Sequence, residues 1–389
     1  FENGGLVMYR KIAEFLENWK ESEHRKPLIL QGARQVGKTY SILEFGRTNY
    51  ENVAYFNFET NPKLNETFEE NISPDYLIPI LSHIAGQTII REKTLIVFDE
   101  VQLCERALTS LKYFCEDAPD YHIIVAGSLL GVAVNRAKFS FPVGKVDMKT
   151  LYPMDMEEFM LAMGEDSLVE KIRECFETDS PMPSALHDAA MQLYRQYLVV
   201  GGMPECVMLF KETRDYILVR HTQDTILASY LNDMSKYNNL NEIKKTRLAY
   251  DNITVQLSKR NTRFQYKLIK KGGRASEFEN AIEWLCLSGI VSQVYKVEQI
   301  KKPLENYRDI DAFKIYVSDL GLLCAKKDLA ANDILYMVEE LNDFKGGMAE
   351  NYVNVQLSIN GYNTYYWESA RGAEVDFIIQ RDGRLIPIE

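Results

Sequence analysis

At 389 residues with 46% hydrophobic composition, the chain can bury a large core and has room for two to four domains of ordinary size. A formal net charge of −11 excludes a polypeptide that coats nucleic acid or an anionic membrane over its whole surface, so any DNA contact must be local. Charges interrupt every apolar stretch before the roughly 20 residues of a membrane span, and six scattered cysteines lack CxxC spacing, so the expectation is a cytoplasmic protein with no membrane partner, disulfide framework or zinc site.

The run Pro27-Leu-Ile-Leu-Gln31 is short, apolar and strand-like, and leads directly into Gly32-Ala33-Arg34-Gln35-Val36-Gly37-Lys38-Thr39, a GxxxxGK[ST] loop. Its glycines let the backbone turn so that successive N–H groups, with the following helix N-terminus, cradle phosphate oxygens. Gly32 to Tyr40 is therefore the expected ATP-binding segment, with Lys38 neutralising the β- and γ-phosphates and the Thr39 hydroxyl ligating Mg²⁺. A second strand at residues 53–58 and a third at 94–98 follow, with helical stretches between, and the third ends in Asp99-Glu100. Asp99 is expected to hold Mg²⁺ through water, and Glu100 to orient and polarise the attacking water. Read alone, such a pair could equally cap a helix; the upstream loop makes the catalytic reading primary. A further strand at 122–126 ends in Gly127-Ser128, making Ser128 a candidate γ-phosphate sensor at the carboxyl edge of the sheet, with a plain turn residue as the alternative. This βαβ repetition predicts a parallel, helix-covered sheet.

Residues 155–235 read as helical, a lid and linker broken by a loop at Ser180-Pro-Met-Pro-Ser184. In Gly201-Gly202-Met203-Pro204 the glycines permit unusual backbone angles, and a helix stop is as good a reading as a direct role. From 240 to 325 short helices combine with strand-like runs at 290–295 and 313–317, as in a winged helix-turn-helix. Within this stretch seven basic residues, Lys259, Arg260, Arg263, Lys267, Lys270, Lys271 and Arg274, stand without an acidic one, interleaved with Phe264 and Tyr266. Segment 259–274 is thus a candidate DNA contact, with a solvated charged face as the bland alternative.

At the end of the chain, strand-like runs at 375–379 and 385–389 flank Asp382-Gly383, a strong two-residue hairpin signal. A turn centred there sets Asp376 opposite Glu389, on the face of Ile378 and Pro387, while Phe377, Ile379, Ile386 and Ile388 fill the other. Two facing carboxylates are costly without a cation, and a divalent metal held by Asp376, Glu389 and Glu350, the last on a helix following Gly346-Gly347, would relieve them. The sequence opens at Phe1 and stops at Glu389 inside a strand-like run, so it reads as a segment of a longer polypeptide.

The phosphate loop, the Asp99-Glu100 strand, Tyr197-Leu-Val-Val-Gly201-Gly202-Met-Pro204, Phe313-Lys-Ile-Tyr-Val-Ser-Asp319-Leu-Gly321, Gly346-Gly347-Met-Ala-Glu350-Asn and Ala373-Glu374-Val-Asp376-Phe together resemble prokaryotic AAA-type ATP-binding proteins with a C-terminal domain of uncharacterised function. The resemblance implies a P-loop α/β parallel sheet with a helical lid, followed by winged-helix and PD-(D/E)XK nuclease-like α+β domains. The expected bounds are 1–154 for the ATPase core, 155–238 for lid and linker, 239–328 for the winged-helix-like domain and 329–389 for the nuclease-like domain, whose expected lysine falls beyond Glu389. Where that group often has Gly-Arg before its linker, this chain has Gly144-Lys145, which leaves an arginine finger unassigned among Arg34, Arg106 and Arg136. The expected activity is Mg²⁺-dependent ATP hydrolysis tied to a nucleic-acid module. The alternative is a slow nucleotide switch whose inactive C-terminal domain binds a protein, with a homo-oligomer or protein partner in either case.

Overall fold

A five-stranded sheet forms the first of two units, residues 1–152 and 153–389. The computed structural model describes residues 8–128, 130, 141–236, 240–257 and 263–389. In chain order the first unit carries α1 (Ile12–Glu21), β1 (Leu28–Gln31), α2 (Lys38–Asn49), β2 (Asn52–Asn57), α3 (Leu64–Glu70), α4 (Pro74–Ala85), β3 (Thr94–Asp99), α5 (Glu105–Asp117), β4 (His122–Gly127) and β5 (Asp147–Thr150). The strand order is β2-β3-β4-β1-β5 and every pairing is parallel. β3 and β4 are buried at every position, as strands covered on both faces must be, which is why they read as unbroken apolar runs. Phe98 anchors the packing, meeting Phe58 and Phe68 with ring centroids 5.9 and 5.5 Å apart; each such fully buried ring stabilises the fold by roughly 2–3 kcal/mol. With β1 beside β4 and two places from β3, the loop leaving β1 emerges at the sheet edge where β3 ends in acid.

The second unit opens with α6 (Met156–Ala162), α7 (Asp166–Glu177), α8 (Ser184–Val200), α9 (Pro204–Thr213) and α10 (Tyr216–Lys236), in keeping with the helical reading of this stretch. Asp155 starts α6 with a capping box: Glu158 N donates to Asp155 Oδ1 at 2.8 Å, and Asp155 N donates to Glu158 Oε2 at 3.1 Å. There follow α11 (Leu240–Leu257), α12 (Tyr266–Ile269), α13 (Ala275–Leu287), β6 (Val291–Val297), β7 (Arg308–Val317), α14 (Leu320–Lys326), α15 (Ala331–Leu335), α16 (Asn342–Ile359), β8 (Tyr365–Glu368), β9 (Glu374–Arg381) and β10 (Arg384–Ile388).

Among the described residues of this unit, one sheet gathers the five strands in the order β10-β9-β8-β6-β7. A parallel pairing of β6 with β8 joins the strands at 291–317 to those at 365–388, so the bound expected at 328/329 runs through a single sheet. The hairpin register is the expected one, with Arg384 opposite Arg381 and Ile388 opposite Phe377. One local expectation is corrected: α16 starts at Asn342 and carries Gly346 and Gly347 inside it rather than following them. Gly347 lets α16 approach the end of α11, since a Cβ there would lie 2.1 Å from Leu257 O.

The turn at 201–204 is held by Asp319. That carboxylate caps α14, accepting from Leu322 N at 2.8 Å, and also accepts from Gly202 N at 2.6 Å. Two motifs over a hundred residues apart are thus one structural clamp.

Candidate functional site

Local chemistry shapes the loop between β1 and α2. Gly32 at φ 148°, Gln35 at 65° and Gly37 at 91° bend the backbone through conformations that glycine tolerates best. Gly32 is fixed by space as well, because a Cβ there would meet Leu151 O at 2.1 Å. Lys38 is buried, and its ammonium donates to Gly32 O at 3.0 Å and Ala33 O at 2.8 Å, folding the charge back over the loop. Arg10, itself buried, donates to Val36 O at 3.0 Å and to Tyr152 O at 2.8 Å, bracing the far side of the loop.

Thr39 and Asp99 meet, although 60 residues separate them: Thr39 Oγ1 donates to Asp99 Oδ2 at 2.9 Å. Tyr55 OH donates to the same oxygen at 2.7 Å, and Glu100 N donates to Asp99 Oδ1 at 3.0 Å, so the carboxylate is aimed by three donors. Burial, reinforced by Asp99, pushes the Tyr55 hydroxyl up to about 12, which keeps it a donor throughout the physiological range. Glu100 sits at φ 51°, ψ 39°, a left-handed conformation costing a non-glycine residue about 1 kcal/mol. Gln102 Nε2 donates to its carboxylate and holds it there. Ser128 is buried at the end of β4, adjoining Gly127, which lies against Gln102.

This donor set fits a nucleotide with its magnesium. The loop offers a glycine-shaped cradle, an ammonium and a hydroxyl next to a carboxylate, which are the groups that polyphosphate and an oxygen-ligated cation require. Gln102 Oε1, beside Glu100, is a buried acceptor with no partner among the described residues. Arg10, Tyr55 and Gln102 were missed by sequence reasoning. For Arg10 no local signal exists, while Tyr55 becomes visible only once β2 is known to pair with β3, setting Asn57 opposite Asp99. Tyr40 is half exposed on α2. Of the arginine candidates, Arg106 is engaged within its own unit by Phe68 O at 2.7 Å and Glu69 at 3.6 Å, and Arg136 lies outside the described residues. Lys145, in place of the family arginine, pairs with Glu116 at 2.8 Å.

In the second unit, Glu350 on α16 and Asp376 on β9 come together, but around an ammonium. Lys314, projecting from β7 and 4% exposed, stands 3.1 Å from Glu350 Oε2 and 3.7 Å from Asp376 Oδ1. Tyr316 OH donates to Glu350 Oε2 at 2.9 Å. Burial, then the neighbouring Glu350, raise the Asp376 carboxyl above its ordinary range; Lys314 opposes the rise and Glu389 adds to it. A cation of the chain itself thus stands against Glu350 and Asp376, two of the three carboxylates of the expected metal set. Among the described residues, no group of three His, Cys, Asp or Glu side chains is placed to hold a metal. Lys314 did carry a signal: it is the sole charge in Ala312-Phe-Lys-Ile-Tyr-Val317, a run buried throughout.

Lys259 and Arg260 of the basic segment lie outside the described residues. Lys267, Lys271 and Arg274 are exposed, Lys270 pairs with Glu277 at 3.0 Å, and Arg263 donates to Asp311 O at 3.0 Å. The aromatic interleaving has a different use from the one expected. Phe264 is buried, stacked on Phe313 at 5.4 Å with 16° between the rings, because its backbone N–H bonds Phe313 O at 2.7 Å and draws the ring inward.

Residues 24–160 match the AAA domain family. Residues 191–333 and 345–389 match two families described as domains of unknown function, DUF8612 and DUF4143. No curated protein matches the sequence. Similar solved structures include the Aeropyrum pernix ORC2 protein in ADPNP-ADP complexes (12% identity, 90% of this chain and 97% of that one, TM-score 0.39). Others are the Aeropyrum pernix ORC1 protein in complex with DNA (13%, 82% and 91%, 0.31) and the Thermotoga maritima RuvB Holliday junction branch migration motor (16%, 73% and 89%, 0.32). At TM-scores this low they carry no argument about function. Among the described residues, no helix is long and apolar enough to cross a membrane.

Proposed function

With residues 24–160 an AAA-type P-loop ATPase domain as the premise, we propose that the first unit binds ATP with Mg²⁺, hydrolyses it, and through that cycle governs the state of the second unit. The observation that carries the reading is the 2.9 Å contact between Thr39 and Asp99, which brings the loop hydroxyl and the strand-end carboxylate to one point, where an oxygen-ligated cation belongs. When bound, Mg²⁺ would neutralise charge developing on the phosphate oxygens, held through Thr39 and Asp99. The chain does the rest. Gly32 to Gly37 cradle phosphate, Lys38 leaves its loop carbonyls to neutralise the transferred group, and Tyr55 and the Glu100 N–H hold Asp99 in place. Glu100, in a conformation fixed by Gln102, takes a proton from the attacking water as the water oxygen bonds to the γ-phosphorus and the bond to the β-phosphate oxygen breaks, releasing ADP, while Ser128 reads the terminal phosphate.

Steady-state phosphate release with Mg²⁺ tests this. Glu100→Gln is expected to bind ATP and lose about 10²–10⁴-fold in turnover, and Lys38→Ala to lose affinity. ATP binding by Lys38→Ala equal to that of the parent removes the assignment.

For the second unit, the exposed Lys267, Lys271 and Arg274, next to Lys259 and Arg260 in sequence, support a local DNA contact in an otherwise acidic chain. A second reading is favoured by Lys314. With its ammonium between Glu350 and Asp376, this module is a catalytically silent one that binds a protein partner under nucleotide control. DNA-stimulated, salt-sensitive turnover supports the first reading; turnover indifferent to DNA supports the second.

A further inference from the structure

Phe264, Tyr266, Tyr295 and Phe313 form one aromatic floor in the second unit. Phe264 stacks on Phe313, Tyr266 meets Phe264 edge-on at 5.2 Å, and Tyr295 meets Phe313 edge-on at 5.9 Å. These rings line a groove of about 600 Å³, whose rim carries the carboxylates of Glu279 and Glu283 from α13 and Asp311 from β7 against the single guanidinium of Arg263. Glu279 and Glu283 are one helical turn apart on one face, where like charges repel. Both are exposed, and neither makes an ion pair among the described residues; the salt bridge of α13 comes from Glu277, on another face, to Lys270. The Tyr266 hydroxyl is pushed up to about 12 by burial and then by Glu279, Tyr295 and Asp311.

We infer that this groove is the docking site for an arginine- or lysine-bearing segment of a partner protein. The inference deepens the second reading of the C-terminal module. Aromatic faces present the negative side of their quadrupole to a cation, and carboxylates at the rim accept its N–H donors. The same chemistry already operates beside it within the chain: Arg308 stands 4.8 Å over the Tyr295 ring and 2.9 Å from Glu305. A nucleobase would also stack on these rings, but within the groove its phosphates would meet the three carboxylates of Glu279, Glu283 and Asp311 against the one guanidinium of Arg263, a balance that favours a cationic occupant.

The test uses the full chain without nucleotide and a fluorescein-labelled alternating Gly-Arg peptide, read by anisotropy. Because the chain is acidic overall, the decisive comparison is between two variants of equal charge change. Glu279→Gln/Glu283→Gln is expected to weaken the peptide at least about tenfold, Glu170→Gln/Glu177→Gln on α7 to leave it near the parent value, and Arg263→Gln to tighten it. Equal weakening by both pairs means diffuse attraction and overturns the groove. So does labelled single-stranded or duplex DNA that binds in preference and is weakened by Tyr266→Ala, since the floor is then a stacking platform for bases. Repeating the titration with ATP separates the two claims: peptide binding that ignores ATP leaves the groove standing and removes the nucleotide switch, whereas no peptide binding in either state removes the groove alone.

Discussion

Lys314→Met takes away the ammonium between Glu350 and Asp376 while keeping the buried stem's volume. Stranding the partners of a buried ion pair costs about 3–5 kcal/mol. Here the low end applies, about 3 kcal/mol, because both carboxylates retain 30% side-chain exposure and Tyr316 still donates to Glu350. The cost also has a required pH dependence. Asp376 already has a folded pKa above its ordinary value, and losing the cation raises it further. A carboxyl raised on folding contributes stability that is fully present below its unfolded pKa, near 4, and lost as pH rises through the folded pKa. The variant's deficit is therefore largest at about pH 8 and shrinks toward pH 5.

Of the three tryptophans, Trp284 and Trp367 lie in the second unit, so urea unfolding followed by fluorescence in a Trp19→Phe background reports that unit. A deficit under about 1 kcal/mol at alkaline pH, or one that does not shrink on acidification, refutes the reasoning. Mn²⁺ adds a second arm. In the variant the freed carboxylates form a cation site, and excess metal restores stability as RT ln(1 + [L]/Kd), about 2.7 kcal/mol at a hundredfold excess over Kd. The parent is expected to gain nothing, and a gain in the parent equal to the variant's would return the cluster to the metal centre expected from sequence.

Tyr55→Phe deletes the 2.7 Å donor to Asp99 and is expected to cost about 1 kcal/mol of positioning, a several-fold loss of kcat/KM in Mg²⁺-dependent phosphate release with the fold intact; unchanged kinetics would remove Tyr55 from the site. Asp319 is pushed up to about 6 by burial, against backbone donors that pull it down. Its contribution to the second unit is fully present below about pH 4 and lost by about pH 6, on the order of 3 kcal/mol at 1.36 kcal/mol per pKa unit. Tyr197, Cys206 and Tyr230 around it are held neutral by burial in that window. Asp319→Asn is expected to flatten this part of the urea-midpoint profile, and an unchanged slope would show that the dependence arises elsewhere.

What was legible in the sequence was local. A strand followed by a glycine turn and a helix, an apolar run ending in acid, and a two-residue turn that sets hairpin register all lie within short windows, where periodicity and turn chemistry are decisive. The Thr39–Asp99 contact spans 60 residues, yet parallel pairing delivers it, because strands of one parallel sheet end on the same edge. What stayed hidden depends on pairing between distant segments. The β6–β8 contact joins strands that the family resemblance assigned to separate domains, and the Phe264–Phe313 backbone bond turns an aromatic of the basic run into core. Arg10 reaches Val36 O through tertiary packing alone.

The two carboxylate clusters of the second unit illustrate how burial decides what a charge means. Glu350 and Asp376 meet partly desolvated, where unscreened repulsion is expensive, and the fold meets the need internally by threading Lys314 through β7. Glu279, Glu283 and Asp311 stand in water, where screening makes mutual repulsion cheap, so no internal cation is needed for folding. The half-buried pair shares the single ammonium of Lys314, which offsets part of its charge. The exposed cluster is offset in its groove by Arg263 alone and so keeps a net attraction for a cation.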